Sequence, residues 1–275
     1  PLGQDELRTL ASWLAQGAPA AAVQASTPPA DVAVWETFLN GTSLKEKTVA
    51  RYLYEHWFVA HLSLDGSGGG PYYRVVRSRS APGSAIDEIA SVRPYDDPGA
   101  PFWYRLRKID ETIVRKTHIV YPLGPAKLAR LRQLFLADDW KATHLPSYAT
   151  EEAANPFVTF AEIPPKSRYQ YMLDDAQYFV MTFIRGPVCR GQVAVDVIED
   201  QFFIAFVDPA RDLSVVDPAF LAENAHLLDL PAEHAENFAP GRLWLEYNLK
   251  QREYLDARER IYDRVDPQRH GPTLD

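Results

Sequence analysis

The stretch "SLKEKTVARYLYEHWFVAHLSL" (43–64) is the longest amphipathic run in the chain and constrains the fold most. Ser43 followed by Glu46 is a capping box, which marks the start of a helix. Behind it, Val49, Tyr52, Leu53, His56, Trp57 and Ala60 form one stripe, and Tyr54, Phe58 and His61 form a second. A helix that is apolar on more than one side has to be enclosed by other elements. The rest of the fold is therefore expected to be built around it.

Other segments supply candidates for that enclosure. "DELRTLASWLAQGAP" reads as a helix ended by Gly17 and Pro19, and residues 20–30 are an Ala/Pro-rich linker. "DVAVWETFLN" is a short helix closed by Asn40-Gly41, and "DGSGGG" (65–70) is a flexible loop. Residues 72–79, 102–109 and 112–122 are strand-like, and "GPAKLARLRQLFLADD" is a helix with Leu128, Leu131, Leu134 and Phe135 on one face. "NPFVTFAEIPP" is read as a short strand and "SRYQYMLDDAQYFVMTFIRG" as a long apolar helix. A hairpin is expected over 191–209, followed by two C-terminal helical stretches. There is no regular βαβ rhythm, so the expected class is α+β, with mixed helices and a mainly antiparallel sheet.

A formal net charge of −8 argues against a general nucleic-acid binder, which needs a basic face to neutralise phosphates. No apolar run approaches the roughly 20 residues needed to span a bilayer. The start "PLGQDELRTL" lacks the basic and apolar regions of a signal peptide. There is no Cys/His cluster at metal spacing and no C-x-x-C-H. The one thiol, Cys189, lies between Gly186-Pro187 and Arg190-Gly191. It is either a reactive or ligating group on a tight turn or a small packing residue. His56 reads as a satisfied core histidine, and His118 as either a ligand or a structural residue. Arg51, Arg74, Arg77, Arg79, Arg105, Arg107, Arg115 and Lys116 form a basic set interleaved with aromatics. One reading is a solvated sheet face paired with Asp96, Asp97, Asp110 and Glu111. The other is a phosphate site, since arginine matches phosphate geometry.

Several stretches together carry a resemblance. "NGTSLKEKTVARYLYEHWFVAHL", "YYRVVRSRSAPGSAIDEIASVRPYDDPG", "ETIVRKTHIVYPL" and "GPVCRGQ" followed by "VIEDQFFIAFVDP" are similar to the bacterial fatty acid cis/trans isomerases, over about residues 31–265. The resemblance implies a periplasmic enzyme with a c-type haem, which converts cis double bonds of membrane phospholipid acyl chains to trans and lowers membrane fluidity under stress. It implies that an oxidised haem iron weakens the double bond so that rotation can occur. This sequence departs from that pattern in having no C-x-x-C-H, so no haem c attaches here through that motif. Residues 1–19 are therefore expected to be the last helix of an upstream cytochrome-c-like module, and 31–275 an incomplete central domain, inactive alone. On the matching motifs, His118, Cys189 and Arg190 are expected at the reacting centre. Arg51, Arg77 and Arg79 are expected to hold the phospholipid phosphate. Tyr52, Trp57, Phe58, Phe179 and Phe183 are expected to wall the acyl chain. The expected partners are membrane phospholipids and the haem module, with no nucleic acid and no metal bound by these residues. Two other readings stand beside this one: a non-catalytic lipid-docking scaffold, and a thiol enzyme using Cys189 with His118 as base.

Overall fold

The computed structural model describes residues 3–18, 29–114, 117–185, 207–228 and 240–265. In chain order it contains α1 (Gln4–Ala15), α2 (Ala30–Leu39), α3 (Leu44–Trp57), β1 (His61–Ser63), β2 (Tyr72–Ser78), β3 (Trp103–Lys108) and β4 (Val120–Pro122). The helices α4 (Pro125–Phe135), α5 (Thr150–Ala153), α6 (Pro156–Thr159), α7 (Pro165–Asp174) and α8 (Ala176–Arg185) follow. After residue 206 come α9 (Leu213–Val216), α10 (Pro218–Asn224), a 3-10 turn at Ala225–Leu227 and α11 (Pro240–Val265). The class is mixed α+β, with strand order β3-β2-β1-β4. The β1–β2 and β2–β3 pairs are antiparallel, and β1–β4 is parallel.

The capping box forms as expected: Ser43 Oγ accepts from Glu46 N, and the Glu46 carboxylate accepts from Ser43 N at 3.0 Å. Gly41 precedes it because a Cβ there would lie 2.6 Å from the Glu46 side chain. Helix α3 is the centre of the core. Val49, Ala50, Tyr52, Leu53, Tyr54 and Trp57 are all buried, against α2, the sheet, α4 and α7. Trp57 meets Trp35 at 6.0 Å and Tyr121 at 5.6 Å, while Tyr52 meets Phe160 at 5.0 Å and Phe135 at 5.5 Å.

The structure corrects the sequence reading in four places. The helix stops at Trp57, so His61 lies on β1 and not on the helix that carries His56. There His61 N donates to Ile119 O at 2.8 Å, and Leu62 stands opposite both Tyr73 and Tyr121. Pairing on both sides outweighs the helical pattern that continues through this stretch. Residues 156–159 are a helical turn, not a strand: Asn155 caps it by accepting from Phe157 N, and Pro156 starts it. The long apolar helix is two helices, broken at Asp175. The loop 65–70 is organised by Asp65, whose carboxylate accepts from Ser63 Oγ, Ser67 Oγ and Ser67 N. Gly66, at φ +75, packs 3.2 Å from the Gly124 backbone at its would-be Cβ. The expected hairpin is outside the described residues except at 207–209, and the linker at 20–30 except at 29 and 30.

The outer edge of β3 is closed by side chains of α2 and its cap. Asn40 accepts from Tyr104 N at 2.9 Å and donates to Tyr104 O at 2.8 Å, as a neighbouring strand would. Glu36 Oε1 accepts from Leu106 N and from Arg105 Nε, each at 2.9 Å. Arg105 also donates to the carbonyls of Ala81 and Ser84. Both members of this ion pair are only 3 % exposed. Removing one partner of such a pair leaves a buried charge uncompensated, so Glu36→Ala is expected to cost about 3–5 kcal/mol of folding stability. Denaturant unfolding of the two proteins measures it, and a loss below 1 kcal/mol contradicts this account.

Candidate functional site: a groove beside a histidine pair

Strand β4 is the other edge of the sheet, and the helical pair α7–α8 lies beside it. Between them runs a groove of about 520 Å³, lined by His118 to Pro122, Leu173 to Tyr178, and Met181. Its wall at Tyr121 and Tyr178 is aromatic, with the two rings 4.6 Å apart edge to face. Tyr178 OH donates to His56 O at 2.8 Å, which ties α8 to the end of α3.

A polar group is set into this apolar surface. Tyr121 OH donates to Asp175, and Lys127 Nζ donates to the other oxygen of the same carboxylate. Burial, reinforced by the Asp175 charge, raises the Tyr121 hydroxyl well above the usual phenol range, so it stays a donor. Beneath it, Trp57 Nε1 and Tyr171 OH are fully buried against the Tyr121 hydroxyl.

The two histidines stand at one end. His61 Nδ1 and His118 Nδ1 are 2.7 Å apart, and Arg74 Nη2 lies 3.2 Å from His61 Nε2. Tyr72 packs edge to face on the His118 ring at 4.7 Å. The register explains the contact: with Leu62 opposite Tyr73, His61 falls opposite Arg74 across the β1–β2 pair. Burial first, then the Arg74 and His118 charges, lower the His61 imidazole to about 4. His56 is likewise held down to about 4 by burial, and bonds Tyr52 O at 2.7 Å. It is the satisfied core histidine read from the sequence.

The expected site residues separate into distinct places. His118 lines the groove. Tyr52 and Trp57 are buried in the core, where Phe58 and Phe179 pack against it. Phe179 reaches His56, Tyr171 and Tyr178, whereas Phe58 meets Tyr54. Arg51 is buried, pairs with Glu55 at 2.7 Å, donates to the carbonyls of Pro146 and Ser147, and stacks 3.8 Å from the Tyr148 ring. Arg77 is buried too, bonds Asp96 O and Ser91 Oγ at 2.6 Å, and lies over Tyr54. Arg79 is at the surface beside Asp87. None of these three arginines is among the residues lining the groove. Cys189 and Arg190 lie outside the described residues, as does the side chain of Phe183. Sequence reasoning missed His61 and Arg74 beside His118, and the group that Tyr121 and Lys127 form on Asp175. A Gly-rich turn between two apolar alternations, at 61–76, was the hairpin signal that places His61 beside Arg74.

Fold and site together define an α+β domain with a tyrosine-walled groove beside a pair of imidazoles. The family model for fatty acid cis/trans isomerase (CTI) matches residues 1–275. The chain belongs to that family, and family membership implies cis/trans isomerisation of fatty acids. Neither a curated protein nor a solved structure matches the chain.

The residues present do not supply the c-type attachment that the resemblance implies. Attachment through C-x-x-C-H needs two thiols, and the chain has one. Among the described residues no three His, Cys, Asp or Glu side chains converge to hold a metal.

The imidazoles give a pH test. Unfolded, His61 takes up a proton near 6.5; folded, only near 4. The unfolded state therefore binds more protons between those values. The His61 contribution is complete above pH 6.5 and is lost as pH falls toward 4. Urea midpoints are expected to fall between pH 7.5 and 4.5, and to fall less in His61→Phe. Equal slopes in both proteins would contradict the assignment.

Proposed function

We propose that the chain acts on cis-unsaturated acyl chains of membrane phospholipids, converting them to trans, and that the groove between β4 and α8 receives the acyl chain. The observation that carries this reading is the family match over all 275 residues. The chemistry of the groove supports it. An acyl chain needs apolar walls that exclude water, and Ile119, Tyr121, Leu173, Tyr178 and Met181 supply them. The reaction changes no atoms and leaves no group behind; it needs the chain held while the double bond turns. Tyr121 OH, fixed by Asp175, and His118 are the polar groups that would orient the lipid at this surface. The periplasmic setting, the effect on membrane fluidity and a haem carried by a partner module belong to the same proposal.

Lipid-docking alone is the second reading, favoured by the lack of a paired-cysteine haem attachment in this sequence. The test is Ala176→Trp, which fills the groove from the start of α8. Trans acyl content of membrane phospholipids, read by gas chromatography in cells making either protein, is expected to fall about tenfold, equivalent to ~1.4 kcal/mol. Unchanged conversion overturns the groove as the acyl site. Lost conversion with unchanged vesicle binding would favour chemistry here over docking alone.

A further inference from the structure

Helices α7 and α8 are separated by one residue, Asp175, and that residue is held from two other elements. Its carboxylate accepts from Tyr121 OH on β4 and from Lys127 Nζ on α4. The Lys127 and Asp175 side chains are only 18 % and 11 % exposed, so water competes little for these charge-assisted bonds. Lys127 Nζ also lies 5.5 Å from the centre of the Tyr121 ring. Through its backbone, Asp175 O accepts from Phe179 N at 3.2 Å, which joins the break to the first turn of α8. The residue before it is held as well. Asp174 pairs with Arg130, one turn beyond Lys127 on α4, at 2.6 and 3.2 Å, and accepts from Gln170 at 2.7 Å.

A second anchor lies further along α8, where Tyr178 OH donates to His56 O at 2.8 Å. The Tyr121 and Tyr178 rings, each fixed through its hydroxyl, meet 4.6 Å apart in the groove wall. The start of α8 cannot leave β4 without breaking the bonds to Asp175. We propose that Asp175 is a positioning residue that fixes the separation of α8 from β4, and through it which acyl chains the groove accepts. This rests on the reading of the groove as the acyl site. One cis double bond puts one bend in an acyl chain, and a second puts another. A groove of fixed width between ring walls takes the first shape more readily than the second. A misfit of about one methylene in an apolar site is worth roughly 10- to 200-fold in discrimination. A substitution that only destabilises the fold lowers the amount of active protein and slows both chain types alike. The ratio of the two conversions therefore separates positioning from plain stability.

The experiment compares the full chain with Asp175→Asn, Lys127→Met and Lys127→Arg in cells supplied with oleate and linoleate. Gas chromatography of the phospholipid acyl chains gives the ratio of oleoyl to linoleoyl conversion, and hydrogen exchange of the purified proteins reads the α8 amides. The parent is expected to prefer oleoyl. Asp175→Asn and Lys127→Met are expected to lower that preference about tenfold and to speed exchange in α8. Lys127→Arg, which keeps a cationic donor for Asp175, is expected to keep the parent ratio. If Asp175→Asn does not fold, Lys127→Met removes one of the same two bonds and carries the test. A parent without preference, faster exchange with an unchanged ratio, or unchanged exchange in both Asp175→Asn and Lys127→Met overturns the proposal. So does a ratio that falls as far in Lys127→Arg as in Lys127→Met. Exchange is read without turnover, so its failure is distinct from failure of the groove reading, which Ala176→Trp reports.

Discussion

The carboxylate of Glu36 is the point on which the sheet depends. It accepts from the backbone of β3 and from the buried guanidinium of Arg105 at once. Arg105 in turn gathers the carbonyls of the turn at 81–84. With Asn40 paired to both backbone groups of Tyr104, α2 does for β3 what another strand would do. An open edge is a template for unwanted pairing, and here it is closed by two side chains, one helical turn apart. The helix that closes it also brings Trp35 onto Trp57. Edge closure and core packing are one event.

The opposite edge is treated differently. β4 is short, pairs only through β1 in this sheet, and borders the groove. The parallel β1–β4 pairing is what brings His118 to His61, because the chain must return from β3 to run alongside β1. The polar groups here pair with one another: a tyrosine and a lysine on one carboxylate, two imidazoles beside one guanidinium.

Much of the framework could be read from local pattern. The α3 capping box, the α2 stop at Asn40 and the apolar face of α4 depend on contacts within a few residues, and propensity decides those. The C-terminus of α3 could not be read this way. Trp57, Phe58 and Ala60 continue the helical stripe, yet His61 to Ser63 form a strand because partners wait on both sides. Asn155 and Pro156 outweigh the β-rich look of residues 157–160, since a cap and a first-turn proline act at once. The arginines were legible as a set but not in role. A side chain such as Arg77 becomes structural only when Asp96, Ser91 and Tyr54 surround it.

By itself the sequence determined the class of fold, the central aromatic helix and the family, because these rest on periodicity, capping and motifs that neighbours in the chain supply. It also settled that no haem attaches here through paired cysteines, since that is a matter of counting thiols. Only the tertiary structure decided which polar groups meet. His61, Arg74 and His118 come from three separate segments, and Tyr121, in the segment of His118, meets Lys127 and Asp175 from two more. The contacts of the histidine pair exist only after β1 has paired with β2 on one side and β4 on the other.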